Sequence, residues 1–230
     1  MKKLLIAVLC FSSLSKAKSQ VYIQGGLNLA NITKTSSGQT EQNNILTTFN
    51  AGISGRFNLS KTIDLETGLL FTGKGAKAET FFGTNTSDNY VKTKLNPFYL
   101  EVPLNLILRI PLQKKTNLFF HAGPYAAMGI AGKAISESKI LGIINNSESN
   151  IRYSNDDPFT SREEDAGYGK LKRFDLGLNL GGGFDFGKLI TKVNYGLGLT
   201  KINSTESNNG ADDKNKYRVL SISLGLPLSK

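Results

Sequence analysis

Several residue types are scarce in this chain of 230 residues, which has one cysteine, one histidine, six prolines and no tryptophan. Long apolar runs are scarce too, because the longest, residues 4–14, is far shorter than the ~20 residues that cross a bilayer as a helix. A helical membrane protein is therefore excluded. Hydrophobic residues form 39% of the chain, and the 24 glycines have no three-residue period, so a disordered chain and a collagen are excluded as well.

The first residues have the pattern of a secretory signal peptide. Two lysines precede an apolar stretch, and Ala17 and Ser19 then place small residues at positions −3 and −1 of a cleavage site. We therefore expect residues 1–19 to be a cleaved signal peptide and residues 20–230 to form one exported domain.

Removal of this signal changes the charge and the thiol chemistry of the chain. It takes away four lysines and the only cysteine, so the formal net charge falls from +10 to +6 and no disulfide is expected. The remaining basic residues are scattered, apart from Lys114 and Lys115 and a group around residues 170–173. Scattered charge in an exported protein argues against a nucleic-acid partner.

The exported part alternates between apolar and polar residues in a way that is typical of strands. Leu104, Leu106 and Leu108, for example, alternate with polar or inward positions such as Asn105. Eight such segments can be recognised, at about residues 21–32, 49–59, 63–71, 98–110, 117–130, 173–186, 189–199 and 220–228.

The links between these segments are alternately short and long. The short links are residues 60–62, 111–115 and 187–188, and the long polar links are residues 33–45, 76–92, 132–170 and 203–215. This pattern is typical of outer-membrane barrels. It predicts an all-β fold, an eight-stranded antiparallel up-and-down transmembrane β-barrel with short periplasmic turns and long extracellular loops. The longest link has room for a hairpin of its own.

Alternation alone fits two kinds of barrel, a membrane barrel and a soluble barrel whose apolar face surrounds a ligand. Three features favour the membrane arrangement: nearly uninterrupted apolar faces of about ten residues, a glycine-rich polar face, and aromatic residues near the strand ends. The aromatic residues expected to form an interfacial girdle are Phe57, Phe98, Phe119, Phe120, Phe184, Phe186 and Tyr217.

The polar face of the strands would then line the lumen. Its polar and charged residues are Arg56, Asp64, Glu66, Glu101, Arg109, His121, Tyr125, Arg173, Asp175, Asp185 and Lys192. Eight strands enclose a lumen that side chains just fill, so these residues are expected to form a polar plug. Leu59 and Ile63 both face outward, which fixes a three-residue turn and places Arg56 opposite Glu66. We expect a bidentate ion pair there.

Two short stretches resemble a known family. Gly25-Gly26-Leu27-Asn28-Leu29-Ala30 and Tyr99-Leu100-Glu101-Val102-Pro103-Leu104 resemble the PorT-like outer-membrane β-barrel family of Gram-negative bacteria. The resemblance extends over residues 20–230. It implies an eight-stranded barrel in the outer membrane, of the kind often labelled porin-like without a demonstrated substrate.

Candidate chemistry is limited by the single histidine. His121 lies about six residues beyond the short link at residues 111–115, on the periplasmic half of the predicted barrel. An enzyme acting on outer-leaflet lipid needs its site at the other end, so we expect a hydrogen-bonded lumen histidine and no catalytic residue. The acidic clusters at residues 156–157, 163–165 and 212–213 lack the order of a calcium loop, so no metal or cofactor is expected.

Lys170, Lys172 and Arg173 are candidate contacts for lipopolysaccharide phosphates, because they lie at the outer end of the sixth segment. A solvated strand end explains the same residues equally simply.

The sequence thus favours a monomeric, non-enzymatic outer-membrane barrel that is structural or adhesive. Its partners would be outer-membrane lipid and lipopolysaccharide, with an extracellular protein or glycan at the external loops. Two alternatives stay open: a narrow pore for ions or very small solutes, and a lipid-modifying enzyme.

Overall fold

The computed structural model describes residues 19–36, 39–42, 44–82, 89–113, 115–140, 142–155, 170–202 and 215–228. The predicted signal peptide lies outside them, apart from Ser19, which begins the first strand. The described strands are β1 (Ser19–Ser36), β2 (Gln39–Gln42), β3 (Leu46–Asn58), β4 (Ile63–Gly73), β5 (Ala76–Phe81), β6 (Tyr90–Gln113), β7 (Thr116–Ile140), β8 (Ile143–Asn150), β9 (Arg152–Ser154), β10 (Lys170–Lys172), β11 (Phe174–Asp185), β12 (Ile190–Gly198) and β13 (Lys216–Pro227). The described residues contain no helix that is long and apolar enough to cross a membrane, a finding that has no bearing on β-barrels.

Eight long strands, β1, β3, β4, β6, β7, β11, β12 and β13, correspond to the eight predicted segments. Each pairs antiparallel with two of the others: the pairings run β1–β3, β3–β4, β4–β6, β6–β7, β7–β11, β11–β12, β12–β13 and β13–β1. Strands that are neighbours along the chain are therefore neighbours in one large antiparallel sheet. The short strands β9 and β10 form a separate parallel pair.

Burial is reversed relative to a water-soluble protein. Leu27, Leu106 and Leu180 are 61%, 57% and 59% exposed, whereas Asn28 and Glu66 are 0% exposed. A continuous exposed apolar surface of this kind suits a lipid environment. The alternation read from the sequence placed these residues on the correct faces.

Two groups of outward aromatic residues lie at different heights on this surface. Phe49, Phe71 and Phe98 pack together with ring centroids 5.0 to 5.7 Å apart, and Phe184 and Phe186 stack beside the turn that follows β11. Through the β6–β7 and β7–β11 registers, Phe184 aligns with Ile110, which lies 12 residues along β6 from Phe98, so the two groups are well separated along the strands.

Two members of the predicted girdle lie elsewhere. Phe119 is 0% exposed and Tyr217 is 1% exposed, so both point into the interior. The prediction was wrong for them because it considered only their place near a strand end. Each is two residues from an inward residue, His121 or Val219, and the two-residue period of a strand therefore puts it on the same face.

The turns between long strands are as short as expected, and one is shorter. The first joins β3 to β4, with the amides of Leu59 and Ser60 donating to the carbonyl of Ile63. The second was expected at residues 111–115, but Gln113 already pairs with Thr116. Pro111 lies within β6, beside a register irregularity, which is where a strand tolerates proline.

The long links, which were predicted to be loops, contain strands. β5, the first part of β6, the last part of β7 and β8 pair as a four-stranded sheet, which we call the distal sheet. β7 has 25 residues, well beyond the ~9–11 that cross a bilayer. A ribbon in water can be polar on both faces, so its composition looked like that of a loop. The β7–β8 pair is the hairpin for which the longest link had room.

The inward glycines of β11 make space for the large rings of β7. Gly177, Gly181 and Gly183 lie directly opposite Tyr125, His121 and Phe119, respectively. A Cβ atom on Gly181 would lie 2.6 Å from Cε1 of His121 and would also collide with the carbonyl oxygen of Val193. Glycine is therefore required at this position by the space that the neighbouring ring occupies.

We expect Gly181→Ala to destabilise the protein by about 1–3 kcal/mol, as overpacking does in a filled interior. The matched control is Gly196→Ala, because a Cβ on this inward glycine would meet its nearest neighbour, Oδ1 of Asn179, at an ordinary 3.5 Å. Urea midpoints of the two variants, folded in lipid vesicles, measure the difference. Equal midpoints would show that the opposing ring can move aside.

Candidate functional site

The carboxylate of Glu66 is the centre of a buried polar cluster in the interior. Its Oε2 accepts hydrogen bonds from the Tyr22 hydroxyl at 2.6 Å and from Nε of Arg56 at 2.9 Å. Its Oε1 accepts from Nδ2 of Asn105 at 3.2 Å and from Nζ of Lys192. We call these five residues the Glu66 cluster. Both oxygens of a fully buried carboxylate are thus satisfied by donors, two of them cationic.

Arg56 divides its contacts between two carboxylates. It lies opposite Glu66 in the β3–β4 register, as predicted. Its Nη1, however, contacts Oδ2 of Asp185 at 3.4 Å, so the expected bidentate pair with Glu66 alone is wrong. The guanidinium also lies over the ring of Phe119, with Cζ 4.3 Å from the ring centroid. Asp185, on β11, thus contacts the guanidinium nitrogen that would otherwise be free to bond Glu66 within the β3–β4 hairpin.

Two of these contacts connect strands that lie far apart in the sheet. Glu66 on β4 and Lys192 on β12 are separated by four pairings in either direction, and so are Arg56 on β3 and Asp185 on β11. Side chains from strands four pairings apart therefore meet in the interior. The contacts therefore run across the interior rather than along its wall.

Asp64 lies one step nearer the β3–β4 turn. Its Oδ2 is 2.7 Å from Nε of Arg109, and its Oδ1 accepts a hydrogen bond from Nδ2 of Asn58 at 2.9 Å. Asn58 is the cross-strand partner that the hairpin register predicts. Arg109 is partly exposed, so this pair closes the turn end of the interior.

A second cluster surrounds Lys74, just beyond the end of β4. Its Nζ contacts Oδ2 of Asp175 at 2.8 Å and Oε2 of Glu101 at 3.0 Å. Thr200 donates to the other oxygen of Asp175 at 2.9 Å. Lys74 is 2% exposed, so its buried ammonium depends on these protein groups for compensation.

Tyrosine rings complete the surroundings of Lys74. Nζ lies 4.2 Å from the ring centroid of Tyr125, 5.3 Å from that of Tyr99 and 5.9 Å from that of Tyr217. The Tyr125 hydroxyl donates to Asp175 at 3.0 Å, and the hydroxyls of Tyr99 and Tyr217 are 3.2 Å apart. Lys74, Glu101, Asp175 and these three tyrosines form what we call the Lys74 cluster.

Lys74 was not among the predicted interior residues, because it lies beyond the alternating pattern of β4, between Gly73 and Gly75. One signal could have found it. The predicted inward residues of the outer half include two acids, Glu101 and Asp175, and buried acids need a cationic partner.

Amide and hydroxyl side chains lie between the two clusters. Nδ2 of Asn28 donates to Oγ1 of Thr72 at 2.9 Å, and Nδ2 of Asn50 donates to Oδ1 of Asn28 at 2.6 Å. Ser223 donates to Oδ1 of Asn50 at 3.0 Å. The middle layer is therefore held by neutral hydrogen bonds.

His121 belongs to this middle region. It is 2% exposed, and its Nε2 is 2.9 Å from Oδ1 of Asn194, whose Nδ2 donates to Asn179. Its Nδ1 has no hydrogen-bond partner among the described residues. The ring thus contacts an amide rather than a hydroxyl or a carboxylate. The described part of the chain also holds no group of three His, Cys, Asp or Glu residues that could bind a metal.

A small cavity separates the two clusters. Its volume is about 40 Å³, and Lys74, Glu101, Asn105 and Lys192 are among its lining residues. One water molecule needs at least ~10–15 Å³ by this measure, so the cavity has room for a few waters. No larger solute fits between the clusters without moving charged side chains.

The three candidate phosphate contacts differ in accessibility. Lys172 is 1% exposed and cannot reach a lipopolysaccharide phosphate, because its ammonium lies inside the protein. Lys170 and Arg173 are half-buried. Lys172 is buried because it lies on β10, a short strand that is separate from β11 and that was not predicted.

Residues 11–204 match the model of the outer membrane protein beta-barrel domain family. The chain belongs to this family. It is accordingly an outer-membrane β-barrel protein of Gram-negative type, with transmembrane β-strands, and the exposed apolar faces described above meet the lipid.

Among solved structures, the chain is similar to Ail, the attachment invasion locus protein of Yersinia pestis, in a crystal structure with the heparin analogue sucrose octasulfate. The identity is 13% and the TM-score 0.41, over 91% of this chain and 99% of Ail. It is also similar to neisserial surface protein A, with 11% identity and a TM-score of 0.40 over 90% of this chain and 96% of that one. No curated protein matches the chain.

We expect Arg56→Ala to destabilise this family member by about 3 kcal/mol or more, because it leaves Asp185 and part of Glu66 buried without their cation. The control is Lys61→Ala in the exposed β3–β4 turn, which should change stability by no more than about 0.5 kcal/mol. Urea midpoints in lipid vesicles compare the two. Similar midpoints would mean that Lys192 alone compensates Glu66.

We expect Lys74→Met to destabilise by about 3–5 kcal/mol, since it leaves Glu101 and Asp175 facing each other without a cation. Lys77→Met, on half-exposed β5, is the control. A triple variant, Lys74→Met with Glu101→Gln and Asp175→Asn, removes all three charges and should recover part of the loss. A triple variant no more stable than the single one would contradict the electrostatic explanation.

Proposed function

We propose that the protein is a non-enzymatic outer-membrane barrel with a plugged polar lumen, and that its function is structural or adhesive. The pairings from β1 through β13 and back to β1 support an eight-stranded closed barrel. The PorT-like resemblance of the two strand motifs fits this assignment within the wider family.

The proposed orientation follows from the lengths of the links. In this arrangement the short turns after β3, β6 and β11 face the periplasm, and the distal sheet projects from the cell. The β7 strand, with its 25 residues, then leaves the membrane about halfway along its length. Lys170 and Arg173 remain candidates for lipopolysaccharide phosphates, and the distal sheet for a protein or glycan partner.

The contacts that cross the interior are the observation that carries this proposal. Glu66 meets Lys192, and Arg56 meets Asp185, from opposite walls. Opening a path would require the separation of buried ion pairs, which costs several kcal/mol for each. The single histidine lies between these clusters, and no described residue gives it a hydroxyl or carboxylate hydrogen-bond partner, which supports a non-enzymatic role.

We expect the purified protein to give no steady conductance in a planar lipid bilayer. A 16- to 18-stranded porin, which leaves an aqueous channel, is the positive control for insertion and recording. A heat-dependent shift in gel mobility confirms that the inserted protein is folded. Reproducible open steps from the folded protein would favour the narrow-pore alternative.

A further inference from the structure

The outer edge of β8 is an open strand edge on the distal sheet. β8 pairs with β7 along all eight of its residues, from Ile143 to Asn150, and lies at the end of the strand order. No other described strand pairs with its second edge. All eight residues are exposed, so neither face of the strand is obstructed by described residues.

The pairing with β7 determines which backbone groups this edge presents. The amide of Ile151 donates to the carbonyl of Gly132, the residue directly opposite in the β7–β8 register. Hydrogen-bonded and non-hydrogen-bonded pairs alternate in an antiparallel ladder, so the odd-numbered residues of β8 bond to β7. The N–H and C=O groups of Ile144, Asn146, Glu148 and Asn150 therefore point outward.

The devices that usually protect a strand edge are missing from β8. Natural edges carry lysines, prolines or bulges that prevent pairing with another chain. β8 has none of them, and its only charged residue is Glu148. That carboxylate is already paired within the chain, with Nζ of Lys133 at 2.5 Å. The edge is polar enough to stay soluble and has nothing that repels a second strand.

We propose that the β8 edge pairs antiparallel with the β8 edge of a second copy of this chain. One register uses every outward group: Ile144 opposite Asn150, Asn146 opposite Glu148, and Ser147 opposite Ser147 on a two-fold axis. In it, no like charges lie directly opposite each other, because Glu148 faces an asparagine. The strand is complementary to itself, which is the argument for a second copy over an unrelated peptide.

The membrane then restricts how the two copies meet. Strands of such barrels tilt by ~35–45°, so two copies related by an axis along the membrane normal cross at roughly 70–90° and cannot pair antiparallel. Antiparallel pairing needs copies that point toward each other from two opposed membranes. This step rests on the proposed function, specifically on the distal sheet being extracellular, whereas the pairing itself does not.

A single cysteine tests the register. Ser147 would face its own copy in a non-hydrogen-bonded pair, where Cα atoms lie ~4.5 Å apart, within the range of a disulfide. We expect Ser147→Cys, expressed without residues 1–19 and folded in detergent micelles, to give a dimer band on a non-reducing gel after mild oxidation. Ser149→Cys, on the same face and also exposed, faces Asn145 and should stay monomeric. Equal dimer yields from both would mean random collision and overturn the pairing.

A proline variant tests the backbone contribution. Asn146→Pro removes an outward N–H while leaving the bonds from β8 to β7 intact, so in the Ser147→Cys background it should abolish the dimer band. Asn146→Ala keeps the N–H and should retain the band. An unchanged band with proline would overturn the pairing.

Experiments with lipid vesicles distinguish the β8–β8 pairing itself from the arrangement of the two copies in opposed membranes. We expect lipid vesicles carrying the protein to aggregate, and vesicles carrying Asn146→Pro to stay dispersed. A Ser147→Cys dimer in micelles together with dispersed wild-type vesicles would overturn the opposed-membrane arrangement and the proposed orientation, and leave the pairing standing. The prediction that the protein gives no steady conductance does not depend on any of these outcomes.

Discussion

The Glu66 carboxylate connects more of this structure than any other single group described above. Its donors Tyr22, Arg56, Asn105 and Lys192 lie on β1, β3, β6 and β12, so with β4 itself five of the eight long strands meet at one buried charge. Such a charge is stable only when each oxygen has its donors. The positions of these strands relative to one another are therefore constrained together, and the remaining polar layers are built on that arrangement.

Volume is the second constraint, and glycine meets it. Large rings on β7 fill the interior because the opposing residues on β11 have no side chain. The ring of Phe119 in turn covers the guanidinium of Arg56, so the packing of apolar and charged groups is coupled. An interior this tightly filled has no room for both a ring and a Cβ at the same height, which explains why the polar face of the strands is rich in glycine.

The distal sheet follows different rules from the membrane part of the same strands. Within the membrane, one face of each strand must be apolar and the other must satisfy its polar groups internally. Beyond it, water satisfies both faces, and the alternation fades into Ser, Asn and Glu. There the hydrogen bond from Tyr90 to Glu137 raises the pKa of the tyrosine hydroxyl. This is an ordinary surface interaction, in contrast to the buried ion pairs of the interior.

The sequence by itself determined which residues face inward, because the period of a strand is two. It also determined that Arg56 lies opposite Glu66, because a short turn sets the register of its own hairpin. It did not determine that Lys192 would reach Glu66, or that Lys74 would meet Asp175, across 126 and 101 positions of chain. Those contacts depend on the stagger accumulated over every strand between them. Only the tertiary structure decides that stagger. Each hairpin register is set locally, whereas the relative height of two distant strands depends on all the registers between them.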